Sequence, residues 1–165
     1  MIIYEDILRE FQKQKVKYVL VGGIAVNLLG SLRSTADMDI LVEMTDANLA
    51  KVVRILKKKG YHVKQSVDPM GIADSKKRED WIKNKYMKAF NFYKENEFKE
   101  VDIIIESPVS FEEAKNDIVH VRSGDITIPV VSIDNLIKMK KSAGRSIDKL
   151  DMEELKKIKK LKRAG

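Results

Sequence analysis

Two short stretches of this sequence combine what a strand interior favours with what it rejects. Asp37-Met38-Asp39-Ile40-Leu41-Val42 and Val101-Asp102-Ile103-Ile104-Ile105 are apolar enough to read as buried strands, yet they carry three carboxylates. Side chains alternate along a strand, so Asp37 and Asp39 share one face while Met38 and Ile40 point to the core. An ionised Asp in a buried strand is costly unless it is paired or ligates a metal. If the two stretches lie side by side, the three acids converge, and like charges at that spacing cannot all ionise without a cation. Magnesium is the expected ion, because it takes hard oxygen ligands and leaves positions open for phosphates. Three carboxylates suffice to hold two ions about 3.5–4 Å apart for in-line phosphoryl chemistry.

A second feature precedes the first acidic strand. Lys17 to Val21 reads as a buried strand, Ile24 to Leu29 as a short buried helix, and Gly22-Gly23 lies between them. Glycine there lets a phosphate approach the backbone, next to the free N–H groups of a helix start.

The rest of the pattern mixes helices and strands. Amphipathic helices are expected over residues 3–14 and from Thr45 or Asp46 to Gly60. Tyr61 to Val67 reads as a strand, residues 72–86 as a loop with a short helix, and 88–94 with 99–105 as a hairpin. Phe111 to Asn116 reads as one or two helical turns, and 118–122 with 126–131 as a second hairpin. Ser132 caps a helix that Gly144 ends, and the last helix starts at Ser146 or Asp148. Strict βαβ alternation is missing, so the expected fold class is α+β, with a mixed sheet and packed helices. At 165 residues with no Gly/Ser/Pro-rich linker, the expectation is a single domain over 1–165, with a C-terminal helical segment at about 132–165.

Composition closes off other chemistries. There is no cysteine, which removes thiol nucleophiles, disulfides and Cys-based zinc sites. The two histidines, His62 and His120, are far apart in sequence and read as strand-surface residues. No basic leader precedes an apolar stretch and no uncharged run is long enough to span a bilayer, so a cytoplasmic location without membrane contact is expected. The formal net charge of +7 is carried by residues 138–165, with 11 basic against 4 acidic side chains; elsewhere the signs balance. Attraction to an anionic acceptor or RNA would therefore come from this end. The tail lacks the interleaved aromatics that stack bases. Trp81, Tyr86, Phe90, Phe92 and Tyr93 read as core and rim more readily than as a stacking surface.

The order Val21-Gly22-Gly23, thirteen residues, Asp37-Met38-Asp39-Ile40, then Val101-Asp102-Ile103 resembles the nucleotidyltransferase superfamily pattern. Arg33-Ser34-Thr35-Ala36-Asp37-Met38-Asp39 is similar to stand-alone members related to the AbiEii toxins and the minimal nucleotidyltransferases. Lys140-x-x-x-Gly144-Arg145-x-x-Asp148-x-x-Asp151 resembles a helical motif of the same relatives. The resemblance implies a magnesium- or manganese-dependent transfer of a nucleoside monophosphate from an NTP such as ATP, releasing pyrophosphate. Gly22 and Gly23 would then contact the triphosphate, Asp37, Asp39 and Asp102 would hold metal, and Asp102 would act as, or assist, the base toward the acceptor hydroxyl. Arg33 and Lys140 would be phosphate-facing cations. Only about sixty residues follow Asp102 in this sequence, so a large acceptor-selecting helical domain like that of larger relatives is not expected within it. The acceptor is open between a small molecule, a protein and an RNA end. The competing reading is a non-catalytic protein of this fold that binds a partner, as in a toxin–antitoxin pair, or nucleic acid.

Overall fold

The computed structural model describes residues 3–164. In chain order the elements are α1 (Glu5–Lys13), β1 (Tyr18–Val21), α2 (Gly22–Leu28), β2 (Asp37–Val42), α3 (Asp46–Lys58) and β3 (His62–Val63). A 3-10 turn (Pro69–Ala73) leads into α4 (Ser75–Lys83), followed by β4 (Ala89–Lys94), β5 (Lys99–Ile104) and α5 (Phe111–Ala114). A second 3-10 turn (Lys115–Asp117) precedes β6 (Val119–Ser123), β7 (Ile126–Val130), α6 (Ile133–Ala143) and α7 (Ser146–Ala164).

The seven strands form one mixed sheet in the order β3-β4-β5-β2-β1-β7-β6, so the chain has the expected α+β class. Strand β2 is central: it runs antiparallel to β1 and parallel to β5. Alternation then divides the sheet. Met38, Ile40, Val101, Ile103, Phe90 and Phe92 fall on one face and are fully buried. Helix α1 covers this face, with Phe11 packed edge-on against Tyr18 at 5.0 Å, and α4 covers it through Trp81 stacked on Phe90 at 5.8 Å. Asp37, Asp39, Glu100 and Asp102 fall on the other face, towards α6 and α7. Trp81, Phe90 and Phe92 are thus core, whereas Tyr86 stands out in solvent.

Tyr4 ties the acidic strands together at their starts. Its hydroxyl, buried beside α1, donates to the Ala36 carbonyl and accepts from the Glu100 amide at 3.0 Å. Burial pushes its pKa up to about 12, so it remains a neutral donor.

The helix caps follow the sequence signals. Thr45 accepts from the Asn48 amide, Ser132 from the Asn135 amide, and Gly144 ends α6 in the left-handed conformation. The strand expected over Tyr61–Val67 is shorter, because only His62 and Val63 pair along the ladder with β4. Beyond them the Gln65 side chain takes over the ladder's role. Its Oε1 accepts from the Asn91 amide at 3.2 Å, and its Nε2 donates to the Ala89 carbonyl at 3.3 Å. Residues 72–86 are more helical than expected, since Asp74 caps α4 by accepting from the amides of Lys76 and Lys77.

Candidate active site

The register of β2 and β5 brings the acids together. Asp39 lies directly opposite Asp102, and Asp37 opposite Glu100. Asp37, Glu100 and Asp102 each bring a carboxylate oxygen to within 4.8 Å of the others. Asp39 adjoins Asp102 and lies against the bend that follows Val21, its partner on β1. The three aspartates expected to converge do so, and Glu100 joins them. Glu100 was not singled out from sequence, although it sits two residues before Asp102 and must share its face. Lys64 pairs with Glu100 from the β3 side.

These carboxylates have more charge than their surroundings can support. Burial, then the neighbouring Glu100 and Asp39, pushes the Asp102 pKa up against the opposing hydrogen bond from Asn91. Burial and the Asp37 charge likewise raise Asp39, although the hydrogen bond to Asp102 opposes them. Burial and Glu100 raise Asp37. Asp37, Glu100 and Asp102 offer hard oxygen donors within reach of one another, with Asp39 beside Asp102, and such a donor set suits a small divalent cation.

Behind Asp102 stands an amide chain. Asn91 Nδ2 donates to Asp102 Oδ1 at 2.7 Å, and Gln65 Nε2 donates to Asn91 Oδ1 at 2.8 Å. With its carbonyl so occupied, Asn91 presents only its NH2 to the acid, and the Asp102 carboxylate is held in one rotamer.

The glycine bend is required by Asp39. Gly22 has φ +73°, and a Cβ there would fall well inside contact distance of Asp39 Oδ2. At Gly23 a Cβ would meet Thr35 Oγ1 at 2.6 Å and Arg33 Nη1 at 2.9 Å. Gly22→Ala should therefore cost about 1–2 kcal/mol in backbone strain and also displace Asp39. Urea denaturation should show that loss, and turnover should fall at least tenfold. Gly23→Ala carries no positive-φ strain, but its Cβ would press on Thr35 Oγ1 and Cβ as well as on the end of Arg33, so its loss should come from displacing Thr35 and Arg33 rather than Asp39.

Beside Gly22 and Asp39 opens a cleft of about 290 Å3. Its apolar walls come from Ile104, Pro108, Leu136 and Met139; buried Lys140 and exposed Arg145 also line it. The two cations expected to face phosphate, Arg33 and Lys140, are held by acids. Lys140 Nζ contacts Asp148 Oδ1 and Asp151 Oδ2, both at 3.1 Å, and Arg33 Nη1 contacts Asp151 Oδ2 at 2.8 Å. Arg145 grips Asp148 through Nε at 2.7 Å and Nη2 at 3.1 Å while its side chain stays two-thirds exposed, 66%. The motif from Lys140 to Asp151 thus ties α6, α7 and the Arg33 loop into one charge network. His62 and His120 are exposed on the sheet, away from these groups.

Residues 4–156 match the family profile of the aminoglycoside-2''-adenylyltransferases. The chain belongs to that family. This places it in the nucleotidyltransferase superfamily. Among solved structures it is similar to the lincosamide antibiotic adenylyltransferase LnuA with lincomycin bound. The TM-score is 0.63 at 22% identity, over 92% of this chain and 93% of that one. It is also similar to ANT(2'')-Ia in complex with adenylyl-2''-tobramycin. Here the TM-score is 0.58 at 13% identity, over 98% of this chain and 94% of that one. At these identities the likeness speaks to the fold. Comparison with curated proteins gave no match. No helix among the described residues is long and apolar enough to cross a membrane.

Proposed function

We propose that this protein transfers a nucleoside monophosphate, AMP from ATP in the first instance, to a hydroxyl of a small-molecule acceptor and releases pyrophosphate. The observation that carries this reading is the register that sets Asp39 opposite Asp102, with Gly22 shaped to receive the Asp39 carboxylate. Membership of an adenylyltransferase family supports the adenylyl group. The relatives' names point to antibiotic-type acceptors rather than to an AbiEii-like toxin role.

In this mechanism the base and ribose lie between Ile104, Pro108, Leu136 and Met139. Gly22 and Gly23 admit the triphosphate to the backbone, and Arg145 reaches it from the rim. Lys140 and Arg33 supply a positive field from within their carboxylate network. Asp37, Asp39, Glu100 and Asp102 are the residues that would hold a divalent ion. Bound there, Mg2+ or Mn2+ supplies charge neutralisation to the triphosphate oxygens. Asp102 takes the proton of the acceptor hydroxyl, whose oxygen forms a bond to the α-phosphorus. The α-phosphorus bond to the bridging oxygen breaks, and its electron pair leaves with pyrophosphate. Asn91 keeps Asp102 pointed at that proton, and little covalent help is required beyond position and field.

Label transfer tests this. Protein, α-labelled ATP, Mg2+ and a small-molecule extract should yield labelled product, and an Asp37→Asn/Asp39→Asn double variant should yield none. Thermal stability supplies a second readout. Carboxylates with raised folded pKa values favour the folded state at acid pH, and that stability is lost as pH climbs from about 4 towards neutrality. Mg2+ should therefore raise the Tm more at pH 8 than at pH 5. An equal shift at both values in wild type and double variant would remove the metal from this site.

A further inference from the structure

The carboxylates stand between two cavities. On the β1 side lies the cleft that Asp39 and Gly22 floor. On the other side, beyond Asp102, a groove of about 570 Å3 runs over the edge strands. Its inner end is Gln65 and Asn91, the pair whose amide chain ends on Asp102 Oδ1. Its outer wall is Tyr86, a residue 78% exposed, with Met87 and Val67 beside it. Asn91 and Asp102 are cross-strand partners, so the groove opens on the same face of the sheet as the reacting acids.

We propose that this groove is the acceptor site, and that it takes a hydroxyl compound without net positive charge and with an apolar or planar face. The proposal rests on the transferase reading above and adds to it where the second substrate lies and what class it belongs to. In-line displacement requires the attacking hydroxyl and the leaving pyrophosphate on opposite sides of the α-phosphorus. With the nucleotide in the cleft, the acceptor must arrive from the β4 side, where this groove has Asn91, the cross-strand partner of Asp102, in its lining. Its charged lining residues are Lys85 and Lys88, the latter loosely paired at 3.8 Å with Glu106 outside the groove, and no acidic side chain lines it. A polycationic aminosugar would meet two like charges, and before the metal-binding acids the carboxylate beside them is Glu106, already paired with Lys88. A neutral or anionic compound meets amides at one end, two ammonium groups along the wall and a tyrosine ring to stack on. The acceptor oxygen bonds to the α-phosphorus, the bond to the bridging oxygen breaks towards pyrophosphate, and the hydroxyl proton passes to Asp102.

The test uses the full chain with Mg2+, α-labelled ATP and a small-molecule extract split on a cation-exchange resin, with tobramycin as a defined polycation. Label should enter the unretained fraction, and excess tobramycin should neither accept label nor compete. Ser66→Trp, which fills the groove from an exposed position, should raise the half-saturating level of that fraction at least tenfold. Tyr86→Asn should do the same; Asn removes the ring and tolerates the φ of +53° at this position. The ATP dissociation constant should stay within twofold in both. Label on the retained fraction or on tobramycin would overturn the acceptor class. Label transfer that neither variant weakens would overturn the groove. Absence of label from every fraction would instead remove the transferase reading, and this proposal with it.

Discussion

Replacing Lys140 by Met should cost about 3–5 kcal/mol, a large share of the 5–15 kcal/mol that holds a typical domain together. The Lys140 amine is 5% exposed and lies between Asp148, which is fully buried, and Asp151, at 4% exposure. Burial by itself would raise the Asp148 pKa. Hydrogen bonds from Arg145 and Lys140 outweigh it and hold that carboxyl below the ordinary range. A depressed folded pKa contributes stability that is present above the unfolded value near 3.9 and is lost as pH falls through the folded value. The variant should therefore be most damaged at neutral pH, and its deficit against wild type should shrink below about pH 4. Urea titrations at pH 7 and pH 3.5 measure both. A further change of Asp148 and Asp151 to Asn in the variant background should recover part of the loss, because it removes the uncompensated charge. If Lys140 instead met phosphate directly, the variant would keep its stability and lose ATP affinity.

That outcome bears on how far the residues alone could be read. The resemblance of Lys140…Asp151 to a family motif singled out these side chains and implied that Lys140 faces phosphate. Their partners depend on how α6 crosses α7 and on where the loop before β2 returns, and neither is a local property of the sequence. The acidic strands were more legible. Alternation alone places Asp37 and Asp39 on one face, and Asp102 in an apolar strand needs a partner or a metal, which a neighbouring acidic strand with a cation would supply. The parallel register that sets Asp39 opposite Asp102 is a tertiary outcome. Given that register, Glu100 follows from the same period of two. Gln65 was harder, because a strand was expected through Val67. Its side chain replaces the backbone ladder, so the strand stops early and an amide is released towards Asn91. Nothing in residue type distinguishes that glutamine from an exposed one.

Asp102→Asn should leave ATP bound and stop the chemistry. Asparagine keeps the shape of the carboxyl group and can still accept from Asn91 Nδ2 through its own carbonyl, so the strand and the amide chain behind it should persist. What disappears is the proton acceptor and one anionic oxygen. Loss of a positioned general base is worth about 10²–10⁴ in rate, and a weakened cation would add to it. Turnover should therefore fall by at least about 10³, with ATP affinity by calorimetry changed severalfold or less, because the cleft walls and Gly22 are untouched. The structure also predicts a gain: the variant removes the one carboxylate whose own pKa burial, Glu100 and Asp39 push up, and with it the cost of ionising that group in place. Without added metal at pH 8, the variant should have a Tm equal to or above that of wild type. Saturating Mg2+ should narrow the difference by stabilising wild type more. Normal turnover in Asp102→Asn would assign the base elsewhere. Lost turnover with a lowered metal-free Tm would mean that Asp102 is built into the fold rather than held in readiness against it.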